Sequence, residues 1–215
     1  MSLIEYVLLA TSSLFVIVDP LATIPAFLAM TPGNTPEDRV RMARIASFVM
    51  TGVLLVFGFA GQWIFRFLGI TMPAFEIAAS IVLLLVAMDM LRAQRSRVLE
   101  TNEETTAGLA KLDIAVTPLA IPMLSGPGAI STVILLQNQA RGLAQHIALG
   151  LSIVAVAFTT YGILRLSARG THWLSPIAMN IAIRIMGLLL AAIAIQFMIN
   201  GIHGVRADWN AAPNG

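Results

Sequence analysis

Asp19-Pro20-Leu21-Ala22-Thr23-Ile24-Pro25 interrupts an apolar run that begins at Leu3, and Gly126-Pro127-Gly128-Ala129-Ile130-Ser131-Thr132 interrupts another about half a chain later. Each run is long enough to enter a bilayer. A helix that breaks in hydrocarbon leaves backbone N–H and C=O groups without partners, so the break persists only where it faces protein, water or a ligand. Two equivalent breaks in two halves of one chain point to a transport site.

Composition sets the class. Of 215 residues, 58% are apolar and 11% charged, against roughly 45–50% and 25% in soluble domains; the mean hydropathy is +0.85. These values predict a polytopic membrane protein with the lipid bilayer as its solvent. The formal net charge of +2 is too small to suggest a nucleic-acid partner. The absence of cysteine excludes disulfides, thiolate catalysis and Cys-ligated metals. His146, His172 and His203 lie near predicted membrane ends and form no close pair, so no metal site is expected. The first run has Glu5 rather than a cation near its start and no clear small-x-small site after it, which predicts a transmembrane helix rather than a cleaved signal.

Six hydrophobic units follow one another: Leu3 to Met30, Ile45 to Phe67, Phe75 to Leu91, Ile114 to Gln137, His146 to Leu166 and Ile177 to Ile202. The predicted fold is all-α, a single membrane domain (1–215) of six transmembrane units. They form two inverted three-helix repeats, 1–92 and 114–203, with broken first and fourth helices. A polar loop, 93–113, joins the halves, and its Thr101-Asn102-Glu103-Glu104-Thr105-Thr106 core reads as exposed. A shift of about 107 residues superposes the two breaks, with identity limited to Pro20/Pro127, Ala22/Ala129 and Leu28/Leu135. The repeat therefore rests on the order broken unit, full helix, full helix. Three crossings per half give the second half the opposite orientation, and such repeats place substrate near the midplane.

Cations orient the units. Loops after the first, third and fifth units carry Arg39, Arg41, Arg44, Arg92, Arg95, Arg97, Lys111, Arg165 and Arg169, whereas the other side carries Arg66, Arg141 and Arg206. Lys and Arg accumulate on the cytoplasmic side. A multi-pass protein of the cell inner (plasma) membrane with both termini outside, in the periplasm, is expected.

The breaks carry the candidate chemistry. Asp19 lies within the first unit, where a charge costs at least ~2.5 kcal/mol to insert. It is also a good N-cap, with Pro20 suited to the first helical position that follows; capping alone would account for it, and the two roles are compatible. Thr23 lies one turn on. The second break, Ser125-Gly126-Pro127-Gly128, has Gly126 where the first has Asp19. Its helix N-terminus would keep free N–H donors and a partial positive charge, suited to a carboxylate. Ser131 and Thr132 would add hydroxyls; a packing kink is the plainer account. Together the breaks suit a small zwitterionic substrate, with its ammonium toward Asp19 and its carboxylate toward Gly126–Gly128. Glu76 and Arg184 are further intramembrane charges at equivalent places in the two halves. A bridge between them is one reading, and a Glu76 solvated near the outer surface, where its helix begins, is the other; Arg184 is a candidate substrate contact and Glu76, like Asp19, a candidate for coupling to an ion.

Asp19-Pro-x-Ala-x-x-Pro25, Thr117-Pro-Leu-Ala-Ile-Pro122, Ser125-Gly-Pro-Gly-Ala-Ile-Ser131 and Gln196-Phe-Met-Ile-Asn-Gly201 together resemble the MarC family, over essentially the whole chain. The resemblance implies a six-helix inner-membrane protein of bacteria or archaea and a transporter class for small neutral amino acids. One segment departs from the family pattern: Glu76-Ile-Ala-Ala-Ser80 stands where relatives commonly show Arg-Ile-Ala-Gly-Gly, which bears on substrate choice and coupling. Arg184 matches the pattern.

The expected function is secondary transport of small neutral amino acids, or related small metabolites, by alternating access. No cofactor is expected. With no nucleotide-binding motif, a proton or Na+ gradient would drive any active transport. A channel-like pore and a membrane assembly factor without transport activity are the alternatives. No enzyme is expected: Gly-x-Ser-x-Gly and His-Glu-x-x-His are both absent. Direction of transport and homo-oligomer formation are left open.

Overall fold

The computed structural model describes residues 2–31, 34–92, 115–169 and 176–211, and every regular element among them is helical. Helix starts are set by local capping chemistry. Ser2 and Glu5 form a reciprocal capping box ahead of α1 (Leu3–Val18). Thr35 accepts from the Asp38 amide ahead of α3 (Pro36–Leu68), and Thr71 accepts from the Ala74 amide ahead of α4 (Met72–Leu91). Gly69, with φ 65°, closes α3 in the left-handed conformation that glycine adopts without strain. α2 covers Pro20–Met30, α5 Pro127–Gln139, α6 Gly142–Arg169 and α7 Pro176–Ala211.

Four stretches are long and apolar enough to cross a membrane: Leu3–Met30, Pro36–Leu68, Gly142–Arg169 and Arg184–Arg206. A bent pair, Ala115–Leu124 with Pro127–Gln139, makes a fifth if it counts as one span, and Met72–Met88 is a shorter apolar helix. The chain is an all-helical integral membrane protein. Helices fall on each of the six apolar units expected from hydropathy, but among the described residues only four, or five with the bent pair, are long and apolar enough to cross a membrane. α3 and α6 extend several residues beyond their units at the N-terminal end, and α7 at the C-terminal end. The loop 93–113 and His172 lie outside the described residues.

The two expected helix breaks differ. α1 and α2 form one apolar span of 28 residues, with Asp19 at once the C-cap of α1 and the N-cap of α2. The Asp19 amide donates to Phe15 O at 3.1 Å, and the Thr23 amide donates to Asp19 O at 3.2 Å. Only Asp19 itself departs, at φ 42° and ψ 65°. The first break is therefore confined to one residue, and α2 starts at Pro20 behind its Asp19 cap as expected. The second break is larger. Ala115–Leu124 contains Thr117 and Ile121 in extended conformation, each followed by a proline with a cis peptide bond, and the chain turns by 56° into α5. Pro118 and Pro122 lack the N–H a continuous helix needs.

Packing divides the apolar interior into two clusters. The larger joins Tyr6, Ala10 and Leu14 of α1, Phe27 of α2, Met42 to Leu54 of α3, Leu119 and Leu124, Ile130 and Val133 of α5, and Leu149 to Ala168 of α6. The smaller joins Leu83, Val86, Ala87 and Met90 of α4 with Leu190 and Ala194 of α7, and takes in Ala26 and Ala29 of α2. α4 and α7 run antiparallel in close contact. A Cβ on Gly201 would lie 2.7 Å from Ile77 Cγ1 and 2.8 Å from Pro73 O, and one on Gly187 would lie 3.1 Å from Ala87 O and Leu91 N. Small residues at such positions let helix backbones approach closely in lipid.

Candidate functional site

The sequence places Asp19 and Gly126–Gly128 in separate halves; the fold brings these segments together. A Cβ on Gly128 would lie 3.5 Å from Ile17 Cγ2, two residues before Asp19, and α1 packs along α5 while α2 packs against Ala115–Leu124. Asp19 is exposed on the isolated chain, whereas Pro20 and Thr23 are buried. One carboxylate oxygen, Oδ1, accepts from the Ala22 amide at 3.1 Å. The residue thus caps α2 as expected. The Thr23 hydroxyl donates back to Asp19 O at 3.0 Å.

At the second break, Gly126 is the N-cap of α5 and no side chain caps that helix. Ser125, Gly126 and Pro127 are buried and Gly128 is half-buried. Glycine at 126 is required by packing: a Cβ there would lie 2.5 Å from Pro122 O and 3.8 Å from Phe197 Cε2. The Ser125 hydroxyl is committed to Ala120 O at 2.7 Å, which also accepts from the Ser125 amide at 2.9 Å. Ser131 and Thr132 likewise donate inward, both to Gly128 O, at 3.0 and 2.7 Å. Their expected availability as donors is not met here, because a hydroxyl one helical turn on finds the i−3 or i−4 carbonyl first. Their oxygens retain acceptor capacity.

Glu76 and Arg184 do not meet. The antiparallel α4–α7 pair sets Ile77 beside Gly201 and Leu91 beside Gly187, so helix rise separates Glu76 from Arg184 by about 25 Å. Residues at equivalent places in oppositely running helices fall at opposite ends. The bridge between them is thereby excluded. Glu76 is half-buried and Arg184 exposed.

Two features escaped the sequence. Phe197 of α7 places its ring beside Gly126; the Gln196-Phe-Met-Ile-Asn-Gly201 motif contains it, but nothing local marks its target. Arg39, read as a loop cation, is 5% exposed and donates from Nε and Nη2 to Thr31 O at 3.2 and 2.9 Å. It ties the end of α2 to the start of α3. Open clefts lie elsewhere: one of about 410 Å³ is lined by Asn138, Gln139, Arg141 and Gln145, and one of about 450 Å³ by Ile77, Ile202, Val205, Arg206 and Trp209. Among the described residues, no group of His, Asp and Glu could hold a metal.

The model of the family described as MarC family integral membrane protein matches residues 4–206. A UPF0056 membrane protein of Methanocaldococcus jannaschii is 33% identical over 94% of this chain and 98% of its own length. One of Pyrococcus horikoshii is 36% identical over 90% and 92%. The UPF0056 membrane protein YhcE of Escherichia coli is 30% identical over 89% of each chain. No solved structure matches.

Proposed function

The chain belongs to the MarC family of integral membrane proteins, and from that footing we propose that it is a secondary transporter of small neutral amino acids or related small metabolites, working by alternating access. The observation that carries this reading is that the end of α1, at Ile17, packs beside Gly128 at the second break. The first break contributes a carboxylate within an apolar span, the second a helix start without a side-chain cap. A zwitterion complements that pair, its ammonium toward Asp19 and its carboxylate toward Gly126–Gly128.

The helix packing supports an inverted repeat. Exchange α1 with Ala115–Leu124, α2 with α5, α3 with α6, and α4 with α7. The contact of α1 with α6 then becomes that of Ala115–Leu124 with α3, and α2 with α6 becomes α5 with α3. In the same way, α2 with α7 becomes α5 with α4, and α1 with α5 becomes Ala115–Leu124 with α2. The α3–α6 and α4–α7 contacts map onto themselves, while the contacts of α4 with Ala115–Leu124 and of α5 with α6 lack a comparable counterpart. Six units related in this way, with both termini outside the inner membrane, have the symmetry that alternating access exploits. A proton or Na+ gradient is the energy source in this reading, with Asp19 and Glu76 the groups available to couple it. No cofactor and no enzymatic step are involved.

The test is counterflow in proteoliposomes, screening neutral amino acids with and without pH and Na+ gradients. Saturable exchange is expected, and Asp19→Asn should remove it. Flux that grows linearly with solute would identify a pore, and no flux of any amino acid would overturn the proposal.

A further inference from the structure

Ser125, Gly126 and Pro127 are buried, so a substrate reaches the second break only if something moves, and the division of the core identifies what. We infer that α4 and α7 form one rigid two-helix body that moves against a second body made of α1, α3, α5 and α6, with α2 and Ala115–Leu124 along the seam. This rests on the transporter reading and specifies its moving part.

Rigidity within the pair follows from its glycine contacts. Gly187, Gly201 and Gly204 meet α4 along its length, the last with a Cβ position 2.6 Å from Pro73 Cγ. Contacts this close leave no room for one helix to slide on the other. Across the seam the surfaces are of another kind. The smaller cluster takes only Ala26 and Ala29 from outside the pair as buried members, flanked by Met30 and Met123. Alanine presents no knob to interlock, and methionine repacks with little cost. Phe27, the next residue on α2, faces the larger cluster instead, so α2 presents opposite sides to the two bodies. One end of the seam is fixed. Phe75, at the start of α4, packs its ring against Phe57 and Phe65 of α3, with centroids 6.1 and 5.6 Å apart. That aromatic group is the pivot, and the α2-facing stretch of α7 is the part that swings.

The pair takes one element from each half of the chain, and the larger body takes two from each. Exchanging the conformations of the halves therefore tilts one body on the other without altering the inside of either. Phe197 rides on the moving pair and meets Gly126 on the fixed body, so the tilt uncovers the second break.

The chain has no native cysteine, so spin labels can be placed by pairs of cysteine substitutions at outward-facing apolar positions of the full-length protein in lipid vesicles. Leu151→Cys with Leu188→Cys spans the bodies, Phe48→Cys with Leu151→Cys lies within one, and Leu85→Cys with Ile202→Cys lies within the other; all are exposed. Pulsed dipolar distances are recorded with and without saturating L-alanine or L-serine, and with and without pH and Na+ gradients. The expected result is two populations for the spanning pair, their ratio shifting between conditions, and one unchanged distance for each pair within a body. A single fixed spanning distance overturns the inference, whether or not the same vesicles transport. Equal shifts within the bodies overturn it too. Two populations in protein that carries no amino acid would keep the moving pair and discard the amino-acid substrate.

Discussion

Ile17 lies beside Gly128, close enough that a Cβ on residue 128 would meet Ile17 Cγ2 at 3.5 Å, although 111 positions separate them in the chain. This places the end of α1, two residues before Asp19, beside the start of α5. It also fixes how large residue 128 can be. Gly128→Ala should transport at close to the wild-type rate, since 3.5 Å is an ordinary contact. Gly128→Leu forces Ile17 and the adjoining Asp19 away from α5 and should reduce initial uptake in proteoliposomes at least about tenfold, the equivalent of ~1.4 kcal/mol.

Asp19 combines a capping role with a charge, and two substitutions separate them. Asparagine is an equally good N-cap and tolerates φ above zero. Asp19→Asn should thus unfold within a degree or two of wild type while losing transport. Asp19→Ala should lose transport and also the cap to the Ala22 amide, about 1 kcal/mol. Thermal unfolding in detergent beside counterflow distinguishes them. Equal, undiminished transport by both would show that Asp19 is only a cap.

Gly126→Ala is expected to destabilise the fold. Its Cβ would sit 2.5 Å from Pro122 O, a backbone atom that cannot swing aside, and overpacking of this kind costs ~1–3 kcal/mol. For a chain of this size the midpoint should fall by roughly 3–10 °C. Gly52→Ala is the control: its Cβ meets nothing within 4 Å and it should hold or raise the midpoint.

Arg39→Met should lower stability. It removes both donors to the buried Thr31 carbonyl, worth ~1.5–3 kcal/mol for a charged donor. Arg39→Lys should recover part of the loss, because an ammonium can reach one acceptor but cannot reproduce the guanidinium fork. Midpoints in the order wild type, Lys, Met are expected, and a Met variant as stable as wild type would show that the clamp contributes nothing.

Much of this was legible in local sequence. Apolar runs near 20 residues gave the spanning helices, since hydrocarbon thickness is a length requirement that a sequence either meets or does not. Ser2, Thr35 and Thr71 act on amides three residues away, a local signal that hydropathy does not register, so α3 starts at Pro36 rather than Ile45 and α4 at Met72 rather than Phe75. Asp19-Pro20 and Gly126-Pro127-Gly128 announced their breaks, since the chemistry of proline and glycine is local.

The tertiary structure decided the rest. Whether a break is a distortion at one residue or a 56° turn depends on what packs around it. Ser131 and Thr132 bond to their own helix, Arg39 is buried and donates to the end of α2, and Glu76 and Arg184 lie at opposite ends of their helix pair. None of these follows from residue type, because each depends on which helix lies alongside and in which direction it runs. The sequence by itself determined that this chain spans a membrane and where its helices break. Only the packing of α1 on α5 and of α4 on α7 decided which residues meet, since contacts between distant segments are set by how the helices fit against one another.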